Sequence, residues 1–196
     1  TMLEDAAALT GSAELDLSRR VVVVLCADNG VVAQGVSQTG QEVTRAVAEN
    51  LAMRRTSVCQ MARAAHCDVL PVDMGMAGEP VPGVRSCRIA AGTADFTKGP
   101  AMTREQAEMA LERGMKVAGE CIDKGYNMLV TAEMGIGNTT STAAIVSAFT
   151  GLAPELTVGR GTGINDERMK VKRQVVADGL AANKPELGNA MDILCK

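Results

Sequence analysis

The chain is poor in the residues that most often announce a function. It has two phenylalanines, one tyrosine and no tryptophan, which excludes a base-stacking platform for single-stranded nucleic acid. Acidic residues outnumber basic ones 23 to 20, for a formal charge of −3, and no basic stripe runs along any segment. An electrostatic nucleic-acid surface is therefore excluded as well. A single histidine, His66, and six scattered cysteines without a C-x-x-C pair leave little for a zinc site. Several cysteines lie in apolar runs, as Cys26 does in VVVVLCA. There a thiol serves as a small hydrophobe, the usage expected of a reducing, cytoplasmic compartment. No apolar run approaches the roughly 20 residues of a membrane helix, and no signal peptide is visible. The lack of a GxGxxG loop and of a Walker A lysine speaks against a dinucleotide dehydrogenase and a P-loop NTPase.

What is present is an ordinary globular balance, 46% hydrophobic and 22% charged over 196 residues, enough for one domain with a sizeable core. With so few aromatics that core must be built from Ala, Val, Leu, Ile and twelve Met. The segments alternate. An amphipathic helix over Met2–Leu9 precedes a polar link and a β-branched strand at Arg20–Ala27. Helical spacing follows over Val43–Arg54 and Ser57–His66, then a strand at Asp68–Met74. The proline-bearing stretch Gly75–Gly83 is irregular, and Arg85–Ala90 reads as a short strand. Thr103-x-x-Gln106 is a capping box for a long helix, Arg104–Lys124, with Gly125 as its stop. Strand–helix–strand order of this kind predicts right-handed parallel crossovers, hence a single three-layer α/β domain over 1–196 with a mostly parallel sheet. No repeat or linker divides it.

The chain is organised around Asn127–Gly151, NMLVTAEMGIGNTTSTAAIVSAFTG. The apolar run Met128–Val130 predicts a buried strand. Glu133 follows, then Gly135 and Gly137, then Asn138, Thr139 and Thr140 as helix-start residues, and Gly151 closes the helix. Strand, glycine turn and helix N-terminus make an anion pocket, most naturally for phosphate. A tight strand-to-helix turn accounts for the same glycines without a ligand, and this pattern alone supports both. A second glycine loop, Gly159–Gly163, leads into a helix capped by Asn165 and Asp166 that carries Lys170, Lys172 and Arg173. Two such loops with lysines nearby strengthen the case for an anionic ligand. Asp28, in Asp28-Asn29-Gly30, reads equally as a turn residue and as a second carboxylate on Glu133's rim. His66 reads as a helix C-terminal cap.

In combination these segments resemble a known family. CADNGV (Cys26–Val31), Val36–Asn50, VDMGM (Val72–Met76), GTADFTKGPAMT (Gly92–Thr103), EMGIGNTTSTAA (Glu133–Ala144) and GRGTGINDE (Gly159–Glu167) follow one another as in the nicotinate-nucleotide–dimethylbenzimidazole phosphoribosyltransferases. The resemblance implies a Rossmann-like α/β domain and transfer of the phosphoribosyl group of nicotinate mononucleotide to 5,6-dimethylbenzimidazole or a related base. Nicotinate leaves, the anomeric centre inverts, and the product is α-ribazole 5′-phosphate, a step of cobalamin biosynthesis. It implies no magnesium or other cofactor, no nucleic-acid or membrane partner, and a homodimer.

By the same resemblance Glu133 is a catalytic carboxylate beside the ribose or the incoming base. Gly135, Gly137, Asn138, Thr139, Gly161 and Thr162 cradle the nucleotide, Lys172 meets its phosphate, and Asp28 shares the substrate rim. The segment from Ser37 to Val47, Thr39 included, lines the aromatic-base pocket. Two departures bear on the acceptor: Val47 stands where some members carry glutamine, and Asn29 where histidine is common. The family's principal general base lies in a C-terminal segment that this sequence does not reach, and its small helical domain is largely missing. The chain is thus expected to be a fragment with weak activity or none. The alternative expectation is a non-catalytic nucleotide-binding relative that needs a partner for its base.

Overall fold

The computed structural model describes residues 1–196. Its centre is β1 (Arg20–Ala27), whose valine run is too apolar on both faces for an outer position. It pairs in parallel with β2 (Cys67–Gly75) on one side and β4 (Met128–Met134) on the other, and the two-residue β3 (Arg85–Ser86) adds to β2. The order is β3-β2-β1-β4. Between β1 and β2 the chain crosses over through α2 (Glu42–Ala52) and α3 (Ser57–Ala64); between β3 and β4 it crosses through α4 (Arg104–Asp123). Alternation along β1 feeds two cores. Val22, Val24 and Cys26 pack with Ala48 and Leu51 of α2 and with Cys59 and Ala62 of α3. Val21 and Val23 pack with Val117 and Cys121 of α4. This is the parallel α/β layering that the alternation predicts.

After β4 come α5 (Asn138–Thr150), α6 (Pro154–Thr157), α7 (Asp166–Asn183) and α8 (Ala190–Cys195). Helices α5 and α7 pack through Ala143, Val158 and Val176. Val31, Val36 and Phe96 fasten Val175 of α7 to the loops at the sheet's C-terminal rim. The capping box on α4 is present, with Thr103 Oγ1 accepting from the Gln106 N–H. Asn165 alone caps α7, accepting from the Arg168 N–H at 3.0 Å. The first helix, α1 (Met2–Thr10), buries no residue.

Three local expectations need correction. Met128–Val130 is a strand but not a buried one: β4 is the outer strand of this sheet, and Met128 and Val130 are 39% and 37% exposed. An apolar run reports strand propensity but not which edge stays open. The strand expected at Arg85–Ala90 ends at Ser86, although the Cys87 and Ile89 N–H groups still donate to the Asp73 and Met74 carbonyls of β2. Asn138, Thr139 and Thr140 form the first turn of α5 and do not cap it; the N-cap is Gly137, at φ 89°.

Two helical glycines separate packing from propensity. A Cβ on Gly179 of α7 would lie 2.2 Å from the Phe96 ring, whereas one on Gly114 of α4 would meet nothing within 4 Å. Alanine gains up to about 1 kcal/mol over glycine in a helix, and overpacking costs about 1–3 kcal/mol. Gly114→Ala should therefore raise the thermal midpoint and Gly179→Ala should lower it, both read by calorimetry.

Candidate functional site

The turn between β4 and α5 is fixed from outside itself. A Cβ on Gly135 would sit 2.4 Å from the Ala27 carbonyl oxygen, and one on Gly137 2.7 Å from Val32 Cγ2. The bare backbone is thus required first for packing against the end of β1 and the short 3-10 turn at Gly30–Gln34. With the turn pressed there, both sides of Ile136 are held by side chains. Its N–H donates to Thr44 Oγ1 at 3.0 Å, and its carbonyl accepts from Asn29 Nδ2 at 3.1 Å. Asn29 Oδ1 in turn accepts from the Ser141 hydroxyl at 3.1 Å. The N–H groups of Gly137 and Thr139 are left without a partner in the chain.

The second glycine loop closes over this turn. Lys172 reaches in from α7, only 1% exposed. Its Nζ donates to Thr139 Oγ1 at 2.7 Å and to the Gly159 carbonyl at 3.0 Å. A side chain on Gly161, at φ 54°, would strike Thr139 Oγ1 at 2.7 Å and approach Lys172 Nζ to 3.1 Å. The N–H groups of Gly161 and Thr162 also lack partners. Between the loops lies a cavity of about 200 Å³ lined by Ser37, Met134, Gly135, Gly137, Asn138, Thr139, Thr140, Gly161, Thr162 and Lys172, among others.

Lys172 is in no ion pair of the chain. Burial alone pushes its ammonium pKa below the usual lysine range. The completely buried Thr140 hydroxyl on the same cavity makes no hydrogen bond. A buried cation without a carboxylate and N–H groups without partners border one cavity at a helix N-terminus, an arrangement suited to an anion. Thr140 reads from sequence only as a helix-start residue; that its hydroxyl is buried without a partner is a property of the fold.

Glu133 is exposed at the end of β4. It lines a neighbouring cavity of about 220 Å³ whose walls include Phe96, Met102, Ile145, Leu180 and Ile193. Asn138 lines both cavities, so the carboxylate and the anion pocket adjoin. This largely apolar neighbour has no counterpart in the sequence reading, because Phe96, Ile145 and Ile193 lie in three segments with no shared motif.

The remaining residues named from sequence fall elsewhere. Asp28 is buried; its Oδ2 accepts from the Ala77 N–H at 2.8 Å, and it lines a different hollow from Glu133. The register shift between Cys26 and Ala27 on β1 intervenes just before it. Thr39 is exposed and lines none of these cavities, and Val47 packs onto the α2 side of the core. His66 is not the cap of α3: Ala65 is, and His66 follows it, exposed at φ 49° and lining neither the Glu133 cavity nor the Lys172 cavity. No three His, Cys, Asp or Glu side chains converge as metal ligands.

Comparisons with known proteins bear on this geometry. The family model described as "Phosphoribosyltransferase" matches residues 1–196. A nicotinate-nucleotide–dimethylbenzimidazole phosphoribosyltransferase from Thermus thermophilus is 46% identical over 184 residues, 93% of this chain and 55% of its own length. The enzyme of that name from Desulforamulus reducens is 41% identical over 179 residues, 90% of this chain and 51% of its own. The crystal structure of CobT from Thermus thermophilus matches with a TM-score of 0.90 at 43% identity, covering 98% of this chain and 60% of that one. The chain spans about half the length of the curated relatives it matches.

The Ile136 clamp makes a prediction of its own. Thr44→Val keeps the shape of a fully buried side chain but strands the Ile136 N–H, a loss of about 1–3 kcal/mol. Affinity for inorganic phosphate, measured by calorimetry, should fall, while a change at exposed Thr39 should leave it as it was.

Proposed function

Because the chain belongs to the nicotinate-nucleotide–dimethylbenzimidazole phosphoribosyltransferase family, we propose that the protein carrying it transfers phosphoribose from nicotinate mononucleotide to a benzimidazole-type base. The observation that carries this reading is Lys172, buried without a carboxylate and facing unpaired N–H groups across a 200 Å³ cavity. The nucleotide's 5′-phosphate occupies that cavity, received by Lys172, by the N–H groups of Gly137, Thr139, Gly161 and Thr162, and by the Thr140 hydroxyl. Fixed there, the ribose extends past Asn138 toward Glu133.

The chemistry follows from that placement. An azole nitrogen attacks the anomeric carbon from the face opposite nicotinate, and the bond to the pyridinium nitrogen breaks. Its electron pair returns to the ring, so nicotinate departs neutral at nitrogen and the centre inverts. Glu133 stands where a carboxylate stabilises positive charge growing on the ribose or takes up the azole proton. Fixing sugar and acceptor together supplies much of the rate, since the step is otherwise bimolecular. We read the protein as cytoplasmic and homodimeric; its six free cysteines accord with a reducing compartment.

The full-length gene product incubated with nicotinate mononucleotide and 5,6-dimethylbenzimidazole should yield α-ribazole 5′-phosphate and nicotinate by mass spectrometry; their absence would contradict the assignment. Lys172→Met should weaken binding of nicotinate mononucleotide on the order of 10- to 100-fold, the loss of a charged hydrogen-bonding partner. Nicotinate riboside, which lacks the phosphate, should bind almost unchanged, and equal losses would remove the phosphate from Lys172. Glu133→Gln should lower kcat far more than nucleotide affinity.

A further inference from the structure

The bonds inside the second glycine loop fix its shape but not its place. The Gly163 and Ile164 N–H groups donate to the Arg160 carbonyl, and Arg160 Nη1 returns to the Ile164 carbonyl at 2.9 Å. Arg160 also pairs with Asp166 at the start of α7. All of these lie within residues 159–166. Val158 and Ile164, both buried, anchor the flanks. Beyond that stretch the loop has two hydrogen bonds. Lys172 Nζ holds the Gly159 carbonyl at 3.0 Å, and Gln38 Nε2 holds the Gly163 carbonyl at 2.9 Å. Lys172 is itself the group offered to an anion, so Gln38 is the tie that an arriving ligand does not recruit.

Gln38 belongs to a stretch, Val36–Thr44, that reaches both sides of the anion pocket. Val36 is buried and packs with Val175 of α7. The Ser37 carbonyl accepts from Arg168 Nη1, also of α7, at 2.5 Å. Gln41 Nε2 donates to the Asn29 carbonyl at 3.0 Å, and Thr44 Oγ1 accepts from the Ile136 N–H. One stretch thus meets α7, the second glycine loop, the end of β1 and the first glycine turn in succession. Gly35, at φ 72° with nothing within 4 Å of a Cβ, precedes it. The backbone there is permissive, so the side-chain ties of Gln38 and Arg168 hold Ser37 and Gln38 in place.

We infer that Gln38 and Arg168 are positioning residues for the phosphate. Together they latch Ser37 and Gln38 to α7 and to the second glycine loop, and so set the spacing between the two groups of unpaired N–H donors. The inference rests on the proposed function, in which the cavity between the loops receives a phosphate, and it adds the residues that hold that cavity to width. Neither side chain lines the cavity. Gln38 acts through the Gly163 carbonyl and Arg168 through the Ser37 carbonyl, and loss of either bond releases the same short segment. Both bonds are at the surface, where a hydrogen bond contributes modestly, so the effect on affinity is roughly three- to tenfold.

Calorimetry on the full-length protein compares nicotinate mononucleotide with nicotinate riboside. Gln38→Met keeps the length of the side chain and removes its donor. Mononucleotide affinity should fall roughly three- to tenfold, while riboside affinity stays as it was. Arg168→Met should give a similar loss, and Arg168→Lys, which retains a donor for the Ser37 carbonyl, should recover most of it. Because the two act as one latch, the double variant should lose less than the product of the single losses. Thermal melts establish that each variant folds. Unchanged mononucleotide affinity in Gln38→Met, equal losses for mononucleotide and riboside, or fully multiplicative losses in the double variant would overturn the latch. Lys172→Met, measured alongside, separates the two readings. A phosphate-specific loss there with none in Gln38→Met keeps the anion pocket and removes the latch; mononucleotide binding indifferent to Lys172 removes both.

Discussion

A lysine buried without a carboxylate is the constraint on which the rest of this structure turns. Moving an ammonium out of water is expensive, and the protein returns only two hydrogen bonds, to Thr139 and to the Gly159 carbonyl. Neither acceptor carries a charge. The folded chain thus holds Lys172 in an electrostatic deficit that a phosphate would remove, and it keeps the donors of two loops unpaired around the same space. Ordinary packing removes such deficits; here two separate segments preserve one.

The sheet explains how the deficit is held. β1 is clamped in parallel between β2 and β4, its register unbroken toward β4 and shifted toward β2 only between Cys26 and Ala27, which delivers Asn29 and the Gly135–Gly137 turn to the same rim. Asn29 and Thr44 then fix the two sides of Ile136 from different elements, so that neither loop entropy nor a local hydrogen bond can absorb the donors beyond it. α7 brings Lys172 from the opposite direction, its own position set by Asn165 at its cap and by Val175 and Val176 in the core. Each contact is ordinary; together they hold Lys172 and the donors of both loops around one cavity.

Much of this was legible beforehand. The valine run of β1, the capping box of α4, the stop at Gly151 and the two glycine loops are local signals, and local signals survive into the fold. Lys172 was legible only through resemblance: its neighbours Lys170 and Arg173 share its helix and its charge, and nothing in the spacing says which one turns inward. What the sequence hid is relational. Met128 and Val130 look like core residues because apolar strands usually are, but the openness of an edge belongs to the sheet as a whole. Gly135 and Gly137 were marked for a ligand, and their nearest physical reason is the Ala27 carbonyl and Val32. Asp28 follows β1 onto the rim that also carries Glu133, as the motif implies, but that its carboxylate accepts from the Ala77 N–H is not written in the motif.

The account therefore stands on the charge state of one side chain. The most direct measurement is an NMR titration of Lys172 Nζ in the free protein and with nicotinate mononucleotide bound. Burial depresses its pKa in the free state, and a phosphate beside it favours the ammonium, so binding should raise that pKa and take up protons where the free lysine has begun to lose its own. A pKa that stays where it was, or falls further on binding, would mean that no phosphate reaches Lys172.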